Sequence, residues 1–104
     1  MPTREVEQIV KKYIEELNLS GFLLSSVYLF GSRVNGKFHD YSDIDVAVIS
    51  PKMKYNYEKN LDLLNSISLK VDDRLEVHAF TPRDFRLAYS PLIYEIKKTG
   101  IKVY

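Results

Sequence analysis

Cysteine and tryptophan are absent from this 104-residue chain, and histidine occurs only twice, at His39 and His78. Without cysteine there is no disulfide framework, no thiolate zinc site and no thiol nucleophile. Two histidines are too few for a His-rich metal site. An excess of charge of one sign is missing as well: Lys and Arg number 15 against 14 Asp and Glu, for a formal net charge of +1. That balance excludes nucleic-acid binding driven by bulk charge alone. No apolar run approaches the roughly 20 residues of a membrane helix. The segment from Met1 to Lys12 alternates charge with apolar residues and lacks a signal-peptide core. A soluble, reducing, cytoplasmic setting is therefore expected. Glycine and proline are scarce, four of each, and fall mostly between periodic segments. There is no internal repeat, low-complexity tract or dividing linker. One domain over residues 1–104 is expected, burying roughly two-thirds of its unfolded surface.

What is present is ordinary globular material, 45% hydrophobic and 28% charged. Val6, Ile9, Val10, Tyr13, Ile14 and Leu17 recur at helical spacing and predict an amphipathic helix from about Arg4 to Leu17, with Thr3 as N-cap. Ser26 to Phe30 reads as a buried strand that Gly31-Ser32 stops abruptly. A polar stretch, Arg33 to Ser42, precedes a second strand, Asp43 to Ile49, which Ser50-Pro51 closes. Tyr57, Leu61, Leu64 and Ile67 predict a helix over about 56–69, and Asp72-Asp73 a turn. Leu75 to Phe80 alternates as a third strand, with Glu76, His78 and Phe80 on one face. Thr81-Pro82 starts a helix, Ser90-Pro91 restarts it, and Gly100 closes it before a short edge strand at Ile101 to Tyr104. The fold class is α/β (α+β): a small mixed sheet of three to four strands packed against helices. Periodicity leaves the strand order open.

The chemistry concentrates in Gly31-Ser32, followed ten residues later by Asp43-Ile44-Asp45. A glycine ending a buried strand lets backbone approach a ligand. Ser32 adds a hydroxyl and an amide, a short helix beginning there would add further free amides, and Arg33 adds a cation. Together they outline a phosphate-sized pocket. Asp43 and Asp45, two apart on a strand, project from one face, and two carboxylates side by side call for a positive partner. A divalent cation such as Mg²⁺ meets that need with carboxylates, phosphates and water. Glu76 completes a three-carboxylate cluster if its strand is adjacent, a cluster able to hold two metal ions for in-line phosphoryl transfer. Asp72 and Asp73 compete for that role but read as turn residues. His39 reads as a loop surface residue. His78 reads as a core or sheet-face residue, with contact to an acceptor substrate as the alternative. The scattered tyrosines read as packing and not as a base-stacking platform.

The stretch Leu29-Phe30-Gly31-Ser32-Arg33 through Ser42-Asp43-Ile44-Asp45-Val46-Ala47-Val48 resembles the signature of the DNA polymerase β-like nucleotidyltransferases, and the chain is similar to their minimal branch. Ile93 to Tyr104 is similar to that family's closing helix and strand, so the resemblance runs from about Ser26 to Tyr104. It implies the nucleotidyltransferase fold, with a nucleotide triphosphate bound at Gly31, Ser32 and Arg33. It implies two Mg²⁺ ions on Asp43 and Asp45, with Glu76 as the third metal-binding and catalytic acid where the family commonly has Asp. The implied reaction is transfer of AMP from ATP to a hydroxyl. Members of this branch are often antitoxins that adenylylate a small helical HEPN-domain toxin, commonly on a tyrosine. A chain of this length leaves little room for a second substrate domain, which fits an acceptor supplied by a partner. Two alternatives stand beside this reading: a non-catalytic antitoxin that neutralises its partner by binding, favoured by Glu in the third position, and a transferase for a small hydroxylated molecule.

Overall fold

The computed structural model describes residues 2–104. The first helix, α1, spans Arg4–Leu19. The Thr3 hydroxyl accepts from the Val6 amide at 3.2 Å and so satisfies one of the donors that a helix start leaves free. The inward stripe is Val6, Val10, Tyr13, Ile14 and Leu17. Tyr13 is fully buried, and its hydroxyl donates to the Leu64 carbonyl at 2.9 Å, which ties α1 to a later helix. Burial pushes the Tyr13 phenol well above its usual range, so it stays a neutral donor.

Strand β1 (Ser26–Phe30) leads into a one-turn helix, α2 (Ser32–Asn35). Strand β2 covers Ile44–Ile49 and is followed by a 3-10 turn at Pro51–Lys54 that buries Met53. Helix α3 runs Tyr57–Val71, two residues beyond the expected end, and buries Leu64, Ile67 and Ser68. Tyr57, expected on its inward face, is largely exposed, with its hydroxyl donating to the Ala79 carbonyl at 3.1 Å. Strand β3 is Leu75–Phe80. Helix α4 (Pro82–Leu87) opens with a reciprocal capping box between Thr81 and Asp84. Helix α5 (Pro91–Thr99) is capped by Ser90, and β4 follows at Ile101–Lys102.

The four strands form one sheet in the order β3-β2-β1-β4. β1 runs antiparallel to β2 and to β4, whereas β2 and β3 are parallel. A parallel pair needs a crossover, and α3 supplies it. The expected edge strand is present at β4. Its ladder is short, and the Val103 amide extends the pairing to the Val27 carbonyl at 2.8 Å.

Strand alternation divides the sheet into two faces. Val27, Leu29, Ile44, Val46, Val48, Leu75 and Ala79 join α1 and α3 in the larger core. Removing one of its fully buried side chains, such as Leu17 or Leu64, would cost about 2–5 kcal/mol. On the opposite face Phe30, Ala47 and Ile49 pack with Phe85, Ile93 and Ile96 from α4 and α5. Asp45, Glu76 and His78 alternate onto that second face but are not part of its apolar cluster. Among the described residues, no helix is long and apolar enough to cross a membrane.

Candidate active site

Register is what assembles the site. In the parallel β2–β3 pair Asp45 stands opposite Glu76, and Ala47 opposite His78. In the antiparallel β1–β2 pair Phe30 stands opposite Asp45. The last residue of β1 thus delivers the chain to Gly31 directly beside the Asp45 side chain. Gly31 adopts φ +81° and ψ −152°, a conformation open essentially to glycine alone. A Cβ there would lie 2.5 Å from Asp45 Oδ2, so the bend and the carboxylate are in direct contact.

Three donor residues converge on the second face, beside its apolar cluster. One ligand atom each from Asp45, Glu76 and His78 lies within 4.8 Å of the others. His78 Nε2 is 3.4 Å from Asp45 Oδ1 and 3.9 Å from Glu76 Oε1. The imidazole stands edge-on to the Phe30 ring, with centroids 5.2 Å apart. Asp43 lies just ahead of β2, not within it as expected, because regular pairing starts at Ile44, whose amide bonds to the Arg74 carbonyl. It is exposed and reaches the group through Glu76. A hydrogen-bonded contact with the Asp43 carboxyl, aided by partial burial and the Asp45 charge, holds Glu76 above the ordinary carboxylate range, with His78 opposing. An oxygen-rich cluster that resists carrying all its negative charge is suited to a divalent cation.

Ser32, the first residue of α2, is half-buried and directly follows Gly31. Arg33 departs from the expectation of a cation facing phosphate. It is 3% exposed, and its Nη2 donates to the carbonyls of Ser42 at 2.7 Å and Asp40 at 3.3 Å. The guanidinium also stacks on Phe38 at 4.9 Å, and its Nε has no hydrogen-bond partner. The side chain is long enough to curl back over the loop that follows α2 and to donate to its carbonyls. Arg74 grips the same loop through the Asp40 carbonyl at 2.9 Å.

Asp72 is spent on Arg74, accepting from its Nε at 3.0 Å and its Nη2 at 2.9 Å, and that contact holds its carboxyl below the usual range. Neither Asp72 nor Asp73 joins the donor group at Asp45. His39 lies exposed in the loop, as expected, its Nδ1 accepting from the Tyr41 amide at 3.2 Å. His78 in the donor group and Phe30 behind it carry more of the site than the sequence suggested. The alternation of β3 placed His78 on the same face as Glu76, but only register shows that β2 lies alongside.

The model of the nucleotidyltransferase domain family matches residues 6–103. The chain belongs to this nucleotidyltransferase family. Three solved structures share its fold. A candidate nucleotidyltransferase from Sulfolobus solfataricus aligns with a TM-score of 0.69 at 20% identity, over 96% of this chain and 80% of its own. A second candidate nucleotidyltransferase gives 0.52 at 23% identity, over 97% and 96%. A toxin–antitoxin structure with AMP-PNP gives 0.56 at 22% identity, over 94% of this chain and 72% of that one. No protein of curated function matches at a significant level.

Proposed function

We propose that this nucleotidyltransferase moves AMP from ATP to a hydroxyl on a partner protein, a tyrosine of a HEPN-domain toxin, and so serves as the antitoxin of the pair in the cytoplasm. The observation that carries the transfer chemistry is the contact between Gly31 and Asp45 at the edge of the Asp45–Glu76–His78 group. It supports a triphosphate site and an acidic site that adjoin. The toxin–antitoxin neighbour with AMP-PNP supports the choice of nucleotide and the kind of partner.

In this reading Asp43, Asp45 and Glu76 hold two Mg²⁺ ions. Bound divalent ions lower the pKa of the attacking hydroxyl and offset charge on the leaving pyrophosphate. Gly31 leaves room for the triphosphate to come against backbone, and Ser32 offers it a hydroxyl and an amide that precede the first intrahelical acceptor. The acceptor oxygen bonds to the α-phosphorus as the bond from that phosphorus to the bridging oxygen breaks, and pyrophosphate departs. The acceptor's proton passes to a carboxylate of the Asp43–Asp45–Glu76 group as the new bond forms. Arg33 and Arg74 act at a distance, fixing the loop that delivers Asp43.

The test is the intact mass of a candidate HEPN-domain partner after incubation with the purified protein, ATP and Mg²⁺. Addition of one AMP is expected, and none with Asp45→Asn. Equal modification by Asp45→Asn, or toxin neutralisation that consumes no ATP and survives loss of both aspartates, would overturn the reading.

A further inference from the structure

We propose that His78 is a nitrogen ligand of the divalent site, and that it tilts the site away from Mg²⁺ towards first-row transition ions such as Mn²⁺. This rests on the metal-binding reading of the acidic group given above. The separations fit one ion. Cis ligands of an octahedral ion at about 2.1 Å stand roughly 3 Å apart and trans ligands roughly 4.2 Å. His78 Nε2 lies 3.4 Å from Asp45 Oδ1 and 3.9 Å from Glu76 Oε1, between those limits.

The ring is also held for the task. β3 alternation puts His78 on the face of Glu76, the β2–β3 register brings it alongside Asp45, and the edge-on Phe30 ring limits its swing. Its Nε2 therefore faces the two acids. As a hydrogen-bond partner for Asp45 alone the 3.4 Å contact is long, whereas both acids lie within reach of an ion the imidazole could share. The consequence is chemical. Mg²⁺ demands oxygen donors and gives up water reluctantly, whereas imidazole suits the later first-row ions. Two carboxylates and one imidazole form a donor set that a transition ion uses fully and Mg²⁺ does not.

Pulsed electron paramagnetic resonance of the intact chain loaded with Mn²⁺ reads this directly, because a coordinated imidazole imprints its nitrogen on the echo. The chain has only two histidines, so the assignment is short. The expected result is coupling to one imidazole nitrogen, retained in His39→Gln and lost in His78→Gln. His78→Gln should weaken Mn²⁺ binding roughly tenfold and Mg²⁺ binding by no more than about twofold. Mn²⁺ that binds in an Asp45-dependent manner without nitrogen coupling, or coupling that persists in His78→Gln, overturns the role of His78 and leaves the acidic site standing. Failure to bind Mn²⁺ at all, or binding unchanged in Asp45→Asn, overturns both. If His78→Gln fails to fold, His39→Gln decides the point, because His78 is then the one histidine left: coupling retained supports the role of His78 and coupling lost overturns it.

Discussion

Gly31 lies so close to Asp45 that a Cβ on it would stand 2.5 Å from Asp45 Oδ2. Glycine is needed there twice, once for its backbone angle and once for the space. Gly31→Ala should cost about 1–3 kcal/mol from strain alone, and it should displace the Asp45 carboxylate. A displacement of the order of an ångström would lower nucleotidyl transfer about a hundredfold. Gly36 is the control: its φ is +85° but nothing lies within 4 Å of a Cβ there. Gly36→Ala should lose stability while keeping most of its activity. Thermal melts and transfer rates of the two variants check the contrast.

Glu76 illustrates a cost of building a cation site. Its contact with Asp43, its partial burial and the Asp45 charge raise its pKa, so its ionised form weakens the metal-free fold. That penalty is absent where Glu76 is protonated in both folded and unfolded states, and it grows as pH rises through the folded value. Glu76→Gln should therefore raise the melting temperature in chelator at neutral pH by roughly 2–4 °C, kept small because the side chain is half-exposed. The gain should shrink towards zero below about pH 4. Added Mg²⁺ should stabilise the native protein and not the variant. Melting curves across pH, with and without metal, are the measurement.

Arg33 holds the loop before Asp43 through the carbonyls of Asp40 and Ser42. Each charge-assisted bond of this kind is worth about 1.5–3 kcal/mol. Burying a guanidinium with an unpaired Nε costs several kcal/mol in return. The two nearly cancel, so Arg33→Met should change global stability by less than about 2 kcal/mol. Its signature should be local: faster amide hydrogen exchange across residues 36–43. Unchanged protection there would show that the loop is held by something else.

These particulars mark how much the sequence discloses. Side-chain period fixes which face a residue takes, so Asp45, Glu76 and His78 could be assigned faces from their neighbours in sequence. The period carries no information on which strands are adjacent, and the convergence of Asp45 with Glu76 is a product of the parallel β2–β3 register. Gly31-Ser32 after a strand marked a close approach. What the glycine approaches, the Asp45 carboxylate, depends on Phe30 facing Asp45 across the antiparallel pair. Arg33 misled because a cation beside a phosphate-like bend invites the functional reading. Its long stem and the bare carbonyls of the loop it spans decide otherwise. The Pro51–Lys54 turn carries one buried apolar residue, Met53, too few for any periodic signal.

The most direct test of the account is calorimetric titration of ATP into the native chain and into Asp45→Asn, each with and without divalent ion. The prediction is tight binding by the native chain that needs the ion, and its loss in Asp45→Asn under every condition. ATP binding of equal strength in chelator, or in Asp45→Asn, would contradict it.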